Sequence, residues 1–109
     1  MATIHISPEA TEDMRGIKEY ITMELETPSA AVNTVSKITK AIRGLSSFPG
    51  IGAPLSSIVD VQTDYRYLVS GSYLVVYRYE QDDVYIIRVL YGRRDYMKIL
   101  FGEPAEDEN

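Results

Sequence analysis

Hydrophobic residues in the amino-terminal part of the chain recur at helical spacing. The positions that would face a core lie three or four residues apart: Ala10, Met14, Ile17, Ile21 and Leu25. Charged residues fill the gaps, as in an amphipathic helix with one buried stripe. Ser7 can cap this helix, and Pro8 suits its first turn. The pattern predicts a short strand over residues 3–6 and a first helix from Pro8 to about Glu26.

A second apolar stripe follows a second cap-and-proline pair, Thr27 and Pro28. Its members are spaced by four, three, four and three residues: Ala31, Val35, Ile38, Ile42 and Leu45. Because the connection is so short, the two helices are predicted to form an antiparallel hairpin that ends near Gly44. The next stretch, residues 48–55, reads "FPGIGAPL" and is predicted to be a loop.

From residue 65 onward the pattern becomes that of strands, rich in tyrosine, valine, isoleucine and leucine. Three such runs, at 65–69, 72–80 and 84–91, are separated by the turn residues Ser70-Gly71 and Gln81-Asp82. The sequence therefore predicts an α+β fold. Its antiparallel sheet has three to four strands, the fourth being the amino-terminal one, and the helical hairpin packs on one face.

The register of the last two strands assigns their faces. If Gln81-Asp82 is a two-residue turn, a constant index sum pairs residues as follows: Tyr79 with Val84, Tyr77 with Ile86, and Val75 with Arg88. One face then carries Leu74, Val76, Arg78, Tyr85, Ile87, Val89 and Tyr91, and it is largely apolar. One hairpin covers only one face, so this second face is predicted to meet a protein partner, a second copy, or the chain's own termini.

The amino-acid composition limits the kinds of functional site that the chain can form. The 109 residues suffice for one domain, predicted over 1–101 and followed by an acidic, disordered tail over 102–109. Without cysteine, and with His5 as the single histidine, the chain lacks the parts for a thiolate zinc site, a two-histidine metal site or a histidine-based triad. We expect no metal and no cofactor. The net charge of −5 argues against nucleic-acid binding through overall charge, and no apolar run is long enough to cross a membrane. A cytoplasmic location is expected.

Two segments carry a family resemblance: "SYLVVYRYE" at 72–80 and "VYIIRVLYGRRDY" at 84–96. With the preceding hairpin and loop, they resemble the RelE/ParE superfamily of toxins from bacterial type II toxin-antitoxin modules, and in particular its ParE, or plasmid-stabilisation, branch. Many ParE-like chains have histidine where this one has Tyr91. The resemblance implies a growth inhibitor that a cognate antitoxin neutralises. The expected assemblies are a hetero-oligomer of toxin and antitoxin or a homodimer of the toxin.

The resemblance leaves two targets open. ParE-type members are linked to inhibition of DNA gyrase, whereas RelE-type members cut messenger RNA on the ribosome. RelE-like nucleases place lysines on the first meander strand and an arginine early in the second; the matching positions here are Tyr65, Tyr67 and Leu74. Because a phosphorane needs positive charge at such positions, the residues favour a non-enzymatic gyrase inhibitor. The alternatives are a ribosome-dependent endoribonuclease and an inactive binding domain of the same fold.

Candidate site residues follow from these readings. The residues expected to contact the target are Tyr91, Arg93, Arg94 and Tyr96. For Arg93 and Arg94, an acidic segment of the antitoxin is the alternative contact. A nuclease would use Arg94, Arg93 and Tyr96. Those expected to contact the antitoxin lie on the uncovered face: Leu74, Val76, Arg78, Ile87 and Val89. As mid-strand arginines, Arg78 and Arg88 need a carboxylate or a carbonyl partner, and Glu19 or Glu24 of the first helix are candidates.

Overall fold

The computed structural model describes residues 1–92 and 96–102, with side chains in the second range described from Lys98 onward. These residues form three helices and five strands, in this order: β1 Thr3–Ile6, α1 Pro8–Met23, α2 Pro28–Gly44, β2 Ala53–Pro54, β3 Arg66–Ser70, β4 Tyr73–Glu80, β5 Asp83–Tyr91 and α3 Tyr96–Phe101. A 3-10 turn at Leu55–Ser57 follows β2. The predicted tail falls, apart from Gly102, outside the described residues.

The two helices begin at the predicted prolines, but only Ser7 makes a side-chain capping hydrogen bond, and Thr27 makes none. The Ser7 hydroxyl accepts a hydrogen bond from the Ala10 amide at 2.9 Å and donates one to the Ile87 carbonyl at 2.8 Å. The same side chain thus caps α1 and joins its first turn to β5. The helix ends at Met23, three residues before the predicted end, and Glu26 takes a left-handed conformation with φ of 52°.

The sheet is five-stranded and mixed, in the order β1-β5-β4-β3-β2. β1 runs parallel to β5, because the chain crosses over through the hairpin before it returns, while the remaining neighbours are antiparallel. The sequence predicts an antiparallel sheet, and the parallel pairing of β1 with β5 corrects that prediction. The strand that the sequence does not predict is β2, which lies within the stretch predicted to be a loop. Its residues Ala53 and Pro54 pair with β3. Proline is tolerated there because β2 is an edge strand.

The predicted register holds near the turn and fails beyond it. Tyr79 pairs with Val84 and Tyr77 with Ile86, as expected. Val75, however, pairs with Val89 rather than Arg88, because the register shifts between Val76 and Tyr77. A β-bulge adds one residue to β5 at this point, which a constant index sum cannot anticipate. The bulge turns Val89 toward the helices, where it belongs to the main core.

Two apolar clusters hold the sheet, one on each face. The main core joins the helical hairpin to β4 and β5 through Ala10, Ile38, Ile42, Leu45, Val75, Tyr77, Val84, Ile86 and Val89. On the opposite face Leu55 and Val59 bury Val76, and partly buried side chains including Ile87, Leu100 and Phe101 pack against them. The chain therefore covers much of its second face itself, with the segment after β2 and with α3. Of the three covers that the sequence leaves open for this face, the described residues show the chain's own segments, including α3.

Candidate functional site

A groove of about 780 Å³ runs between the helical hairpin and the far ends of β4 and β5. Ile17, Tyr20 and Ile21 of α1 form one wall, and Val89, Leu90 and Tyr91 of β5 form another. Leu25, Ala30 and Thr34 close the end nearest α2. Because Tyr20 and Leu25 are each 54% exposed, the groove offers apolar surface that this chain does not bury.

Gly16 of α1 also lines the groove. A Cβ built at this glycine would meet nothing within 4 Å. A glycine inside a helix is about 0.5–1 kcal/mol less favourable than alanine, so its presence here is not explained by helix stability. An alanine at this position would meet no clash in the groove.

Three tyrosines form the mouth of the groove. The rings of Tyr73 and Tyr91 meet edge to face, with centroids 5.8 Å apart and planes at 62°. Burial raises the pKa of Tyr73 above its ordinary value of 10.0, and the neighbouring Tyr91 and Tyr20 hydroxyls add to the rise. The Tyr73 phenol is consequently neutral at physiological pH, and all three rings have apolar faces and a hydroxyl at the rim. Such side chains are typical of protein interfaces.

The polar end of the groove is an ion pair. Asp13 accepts from Arg88 through both carboxylate oxygens, at 2.7 Å from Nε and 2.8 Å from Nη2. It also accepts from the Val89 amide at 2.9 Å. The hydrogen bond from Asp13 raises the pKa of Arg88 above its ordinary value, against a smaller opposing effect of burial. The guanidinium is therefore charged and already satisfied, and it serves to join α1 to β5.

The arginine partners differ from those predicted. Arg88 binds Asp13, which lies nearer the start of α1 than Glu19 or Glu24, because β5 passes that part of the helix. Glu19 instead pairs with Arg15 on the solvent side of α1. Arg78 bonds to Glu80 at 3.2 Å and lies over the ring of Tyr85, with its Cζ 4.4 Å from the ring centroid.

The predicted target-binding residues are only partly described. Tyr91 lies at the groove mouth, 42% exposed. Arg93 and Arg94 lie outside the described residues, and Tyr96 is described only as the first residue of α3. Their roles, whether in target binding or in a nuclease, stay predictions.

The predicted antitoxin-binding residues do not form an exposed surface. Leu74, Val76 and Val89 are 8%, 0% and 2% exposed. Ile87 packs against the second core, and Arg78 keeps partial exposure beside Tyr85. The covering segments would have to move before a partner could contact Val76. A role of these five residues in antitoxin binding stays a prediction.

The positions at which related nucleases carry cations have structural roles here. Leu74 is buried, and Tyr65 stacks on Phe101 with ring centroids 6.0 Å apart. Tyr67 packs against the second core. His5 bonds to Asp83 at 2.8 Å and stacks on Tyr85, which joins β1 to β5. Within residues 1–92 and 96–102, no group of three or more histidine, cysteine, aspartate or glutamate side chains is arranged to hold a metal ion.

Sequence reasoning missed the groove. The sequence pattern places Leu25 in the buried stripe of α1 and Tyr20 among the charged residues of its solvent-exposed face. The available signal was Tyr20 itself, a large aromatic residue at a position where the helix pattern calls for a polar one. An early end of α1, which exposes Leu25, is not visible in a periodic pattern.

The fold defines a small α+β protein with a partly apolar groove between its helical hairpin and its sheet. No helix of the described part is both long enough and apolar enough to span a bilayer. The sequence model of the family described as "ParE toxin of type II toxin-antitoxin system, parDE" matches residues 4–96. The chain belongs to this family.

Two further comparisons give different results. No match is found among curated proteins. Among solved structures, the chain is similar to one titled "Chromosomal ParDE TA system from P. aeruginosa", with a TM-score of 0.70 and 20% sequence identity. The alignment covers 84% of this chain and 96% of that one. At this identity the similarity establishes the fold, which is that of the RelE/ParE type.

Proposed function

We propose that this ParE-family toxin arrests bacterial growth in the cytoplasm by binding DNA gyrase, without cleaving RNA, and that a cognate antitoxin neutralises it by filling the groove. The observation that carries the first part is the state of the sheet arginines. Arg66, Arg78 and Arg88 each make hydrogen bonds within the chain. Stabilising a phosphorane requires cations aimed at the scissile phosphate, and these three are aimed at partners of their own.

The groove supports the second part. A segment that buries apolar side chains against Tyr20, Leu25 and Tyr91 would cover apolar surface that the chain leaves exposed beside the helices. The Asp13–Arg88 pair is already compensated, so the groove favours an apolar occupant over a charged one. An amphipathic helix is the element that fits a groove of this kind, by placing its apolar side chains at every third or fourth position.

The experiment that tests the function compares two activities of the purified chain. Supercoiling of relaxed plasmid by purified gyrase is measured with increasing toxin, and cleavage of ribosome-bound messenger is measured in parallel. Loss of supercoiling with intact messenger is expected. Site-specific cuts with normal supercoiling would establish the nuclease instead.

Growth separates both toxins from an inactive binding domain. Induction of the chain alone should arrest growth, and co-expression of the protein encoded beside it should restore growth. Unimpaired growth at a verified level of soluble chain would contradict the toxin assignment.

A further inference from the structure

The two edges of the sheet are protected to different degrees. The order β1-β5-β4-β3-β2 leaves β2 at one edge and β1 at the other. β2 is two residues long and contains Pro54, which has no amide hydrogen to donate to a further strand. β1 reads TIHI and has no proline, no lysine, no acidic side chain and no bulge. Proteins use these features to keep edge strands from pairing, so β1 is the less protected edge.

Alternate residues of β1 turn their backbone groups away from β5. The Thr3 amide donates at 2.7 Å to the carbonyl of Asp82, just before β5, and the Ser7 amide donates at 3.1 Å to a carbonyl within β5. In a parallel pair, the residues between the bonded ones point their amides and carbonyls to the opposite side. Ile4 and Ile6 therefore present their backbone groups at the open edge. No described residue forms a hydrogen bond with them there.

This open stretch is closed at both ends. By the same alternation the Ala2 amide points outward, but it already donates to the Ser46 carbonyl at 2.8 Å. The Ser46 hydroxyl in turn donates to the Ala2 carbonyl at 2.7 Å. At the other end Pro8 has no amide hydrogen. Complete pairs of an amide and a carbonyl are thus open only at Ile4 and Ile6.

These open groups are complementary to themselves. In an antiparallel pair, two facing residues whose backbone groups point inward exchange two hydrogen bonds. With His5 opposite its own counterpart in a second copy, Ile4 of each copy faces Ile6 of the other, and both facing pairs exchange their bonds. Centring the pair on Ile4 would set Ile6 against Ala2, whose amide is occupied. Centring it on Ile6 would set Ile4 against Pro8. Both of these registers form fewer bonds.

The side chains fit the register centred on His5. Ile4 packs against the main core on the hairpin side, and Ile6, on the same side of β1, is 51% exposed. Ile4 of a second copy would cover Ile6, which the chain itself leaves open. On the opposite face the His5 ring stacks on Tyr85, with centroids 4.9 Å apart, and it bonds to Asp83 at 2.8 Å. The ring is thus held against its own sheet and leaves the edge accessible.

We propose that β1 is a dimer interface, at which two copies of the chain pair antiparallel about His5 and join their five-stranded sheets edge to edge. The contact is isologous, so it closes at two copies. A strand is the occupant because the open groups are backbone amides and carbonyls. A second copy is that strand because the open groups are symmetric about His5 and end on both sides at groups that are occupied or absent.

The dimer interface is separate from the groove. β1 pairs with β5 as far as Ile86, whereas the groove contains Val89, Leu90 and Tyr91 from the far end of that strand. The proposal therefore does not depend on the proposed function, on the target or on the site at which the antitoxin binds.

Disulfide trapping tests the register. The chain contains no cysteine, so a single introduced cysteine reports on one position. Across the proposed pair the two copies of residue 5 have Cα atoms about 4.5 Å apart, which a disulfide can bridge. His5→Cys should therefore give a disulfide-linked dimer under mild oxidation. Thr3→Cys, on the same face of the same strand, is the control. Its two copies would be roughly 13 Å apart, so it should stay unlinked. Equal linking of the two variants, or none in His5→Cys, would overturn the proposal.

Sedimentation of the chain under reducing conditions is the second test. Four backbone hydrogen bonds make a small interface, so we expect the parent to dimerise as its concentration rises from about 10 μM to about 1 mM. Ile6→Lys sets a charge on the exposed edge and should stay monomeric throughout. Val69→Lys, at a valine 65% exposed on β3, should dimerise like the parent. A parent that is monomeric at every concentration overturns the proposal, as does an Ile6→Lys variant that dimerises like the parent.

The same variants distinguish a second copy from a strand of the antitoxin. The affinity of each lysine variant for the antitoxin is measured by isothermal titration. A monomeric parent, with antitoxin affinity lost in Ile6→Lys and kept in Val69→Lys, assigns the edge to the antitoxin and overturns the proposal. A dimeric parent, with antitoxin affinity kept in Ile6→Lys, supports it.

Discussion

Asp13 accepts three hydrogen bonds from β5, two from the side chain of Arg88 and one from the Val89 amide. The carboxylate is 14% exposed and the guanidinium 26% exposed, so water screens the pair only weakly. The Val89 amide is next to the β-bulge, where the register of β4 and β5 shifts. Asp13 thus neutralises the charge of Arg88 and accepts from a backbone amide at the place where the pairing of β4 with β5 is irregular. These bonds fix α1 against the sheet.

Replacing Asp13 by alanine should destabilise the protein by about 2–4 kcal/mol, because the arginine and an amide lose their acceptor together. Urea denaturation at neutral pH measures this change. Glu19→Ala is the control: it removes a carboxylate from the exposed Arg15 pair on the same helix, where water screens the pair, so it should change stability little. Equal effects of the two substitutions would show that the Asp13 pair has no special structural role.

Much of the fold follows from local signals in the sequence. Ser7-Pro8 and Thr27-Pro28 mark the starts of α1 and α2 correctly, and Gln81-Asp82 forms the predicted turn. These features depend on residues close in sequence, where capping and turn chemistry decide. The assignment to the RelE/ParE fold is likewise confirmed.

What could not be predicted depends on long-range packing. The bulge beside Ile87 places Val89 on the opposite face of the sheet from the predicted one. A single extra residue is not visible in the alternation of side chains along β5. The cover over Val76 comes from Leu55 and Val59, in a segment whose sequence indicates only a loop. For the same reason the groove was missed, since it is a gap between elements rather than a property of any one of them.

Replacing Tyr20 by alanine should weaken antitoxin binding by about tenfold or more, because an exposed aromatic ring in the wall of the groove is lost. Stability should change little, since Tyr20 is 54% exposed. Isothermal titration of the purified toxin with its antitoxin gives the affinity. Val32→Ala, on α2 and outside the groove, is the control with similar exposure. An unchanged affinity in Tyr20→Ala would remove the groove as the antitoxin site.

Alkaline pH should destabilise the protein through Tyr73. Its pKa is raised in the folded chain, so the unfolded chain releases the phenol proton first, near the ordinary value of 10.0. Below that pH neither state is ionised and the stability is at its full value. As the pH rises past the unfolded pKa and through the folded one, ionisation favours the unfolded chain and stability falls.

The variant Tyr73→Phe isolates this contribution, because it keeps the ring and removes the ionisable hydroxyl. Denaturation midpoints measured from neutral to strongly alkaline pH should fall less steeply in the variant than in the parent. Tyr79→Phe, at the other end of β4, is the comparison. Identical alkaline slopes in the parent and in Tyr73→Phe would contradict the assignment.

The buried Tyr77 hydroxyl and Gly52 hold the loop that precedes β2, because the hydroxyl donates to the Pro49 carbonyl and accepts from the Gly52 amide. A substitution at either residue should disturb this loop. Gly52→Ala places a Cβ against the Tyr67 carbonyl, which belongs to the sheet and cannot easily move, so we expect a loss of about 1–3 kcal/mol. Gly44→Ala, at the end of α2 with nothing within 4 Å of its Cβ, should be neutral or slightly stabilising. Tyr77→Phe keeps the buried ring but removes both hydrogen bonds to the loop, and amide hydrogen exchange at Gly52 should accelerate while that of β4 changes much less. Unchanged protection of the Gly52 amide in Tyr77→Phe would mean that the Tyr77 hydroxyl does not order the loop.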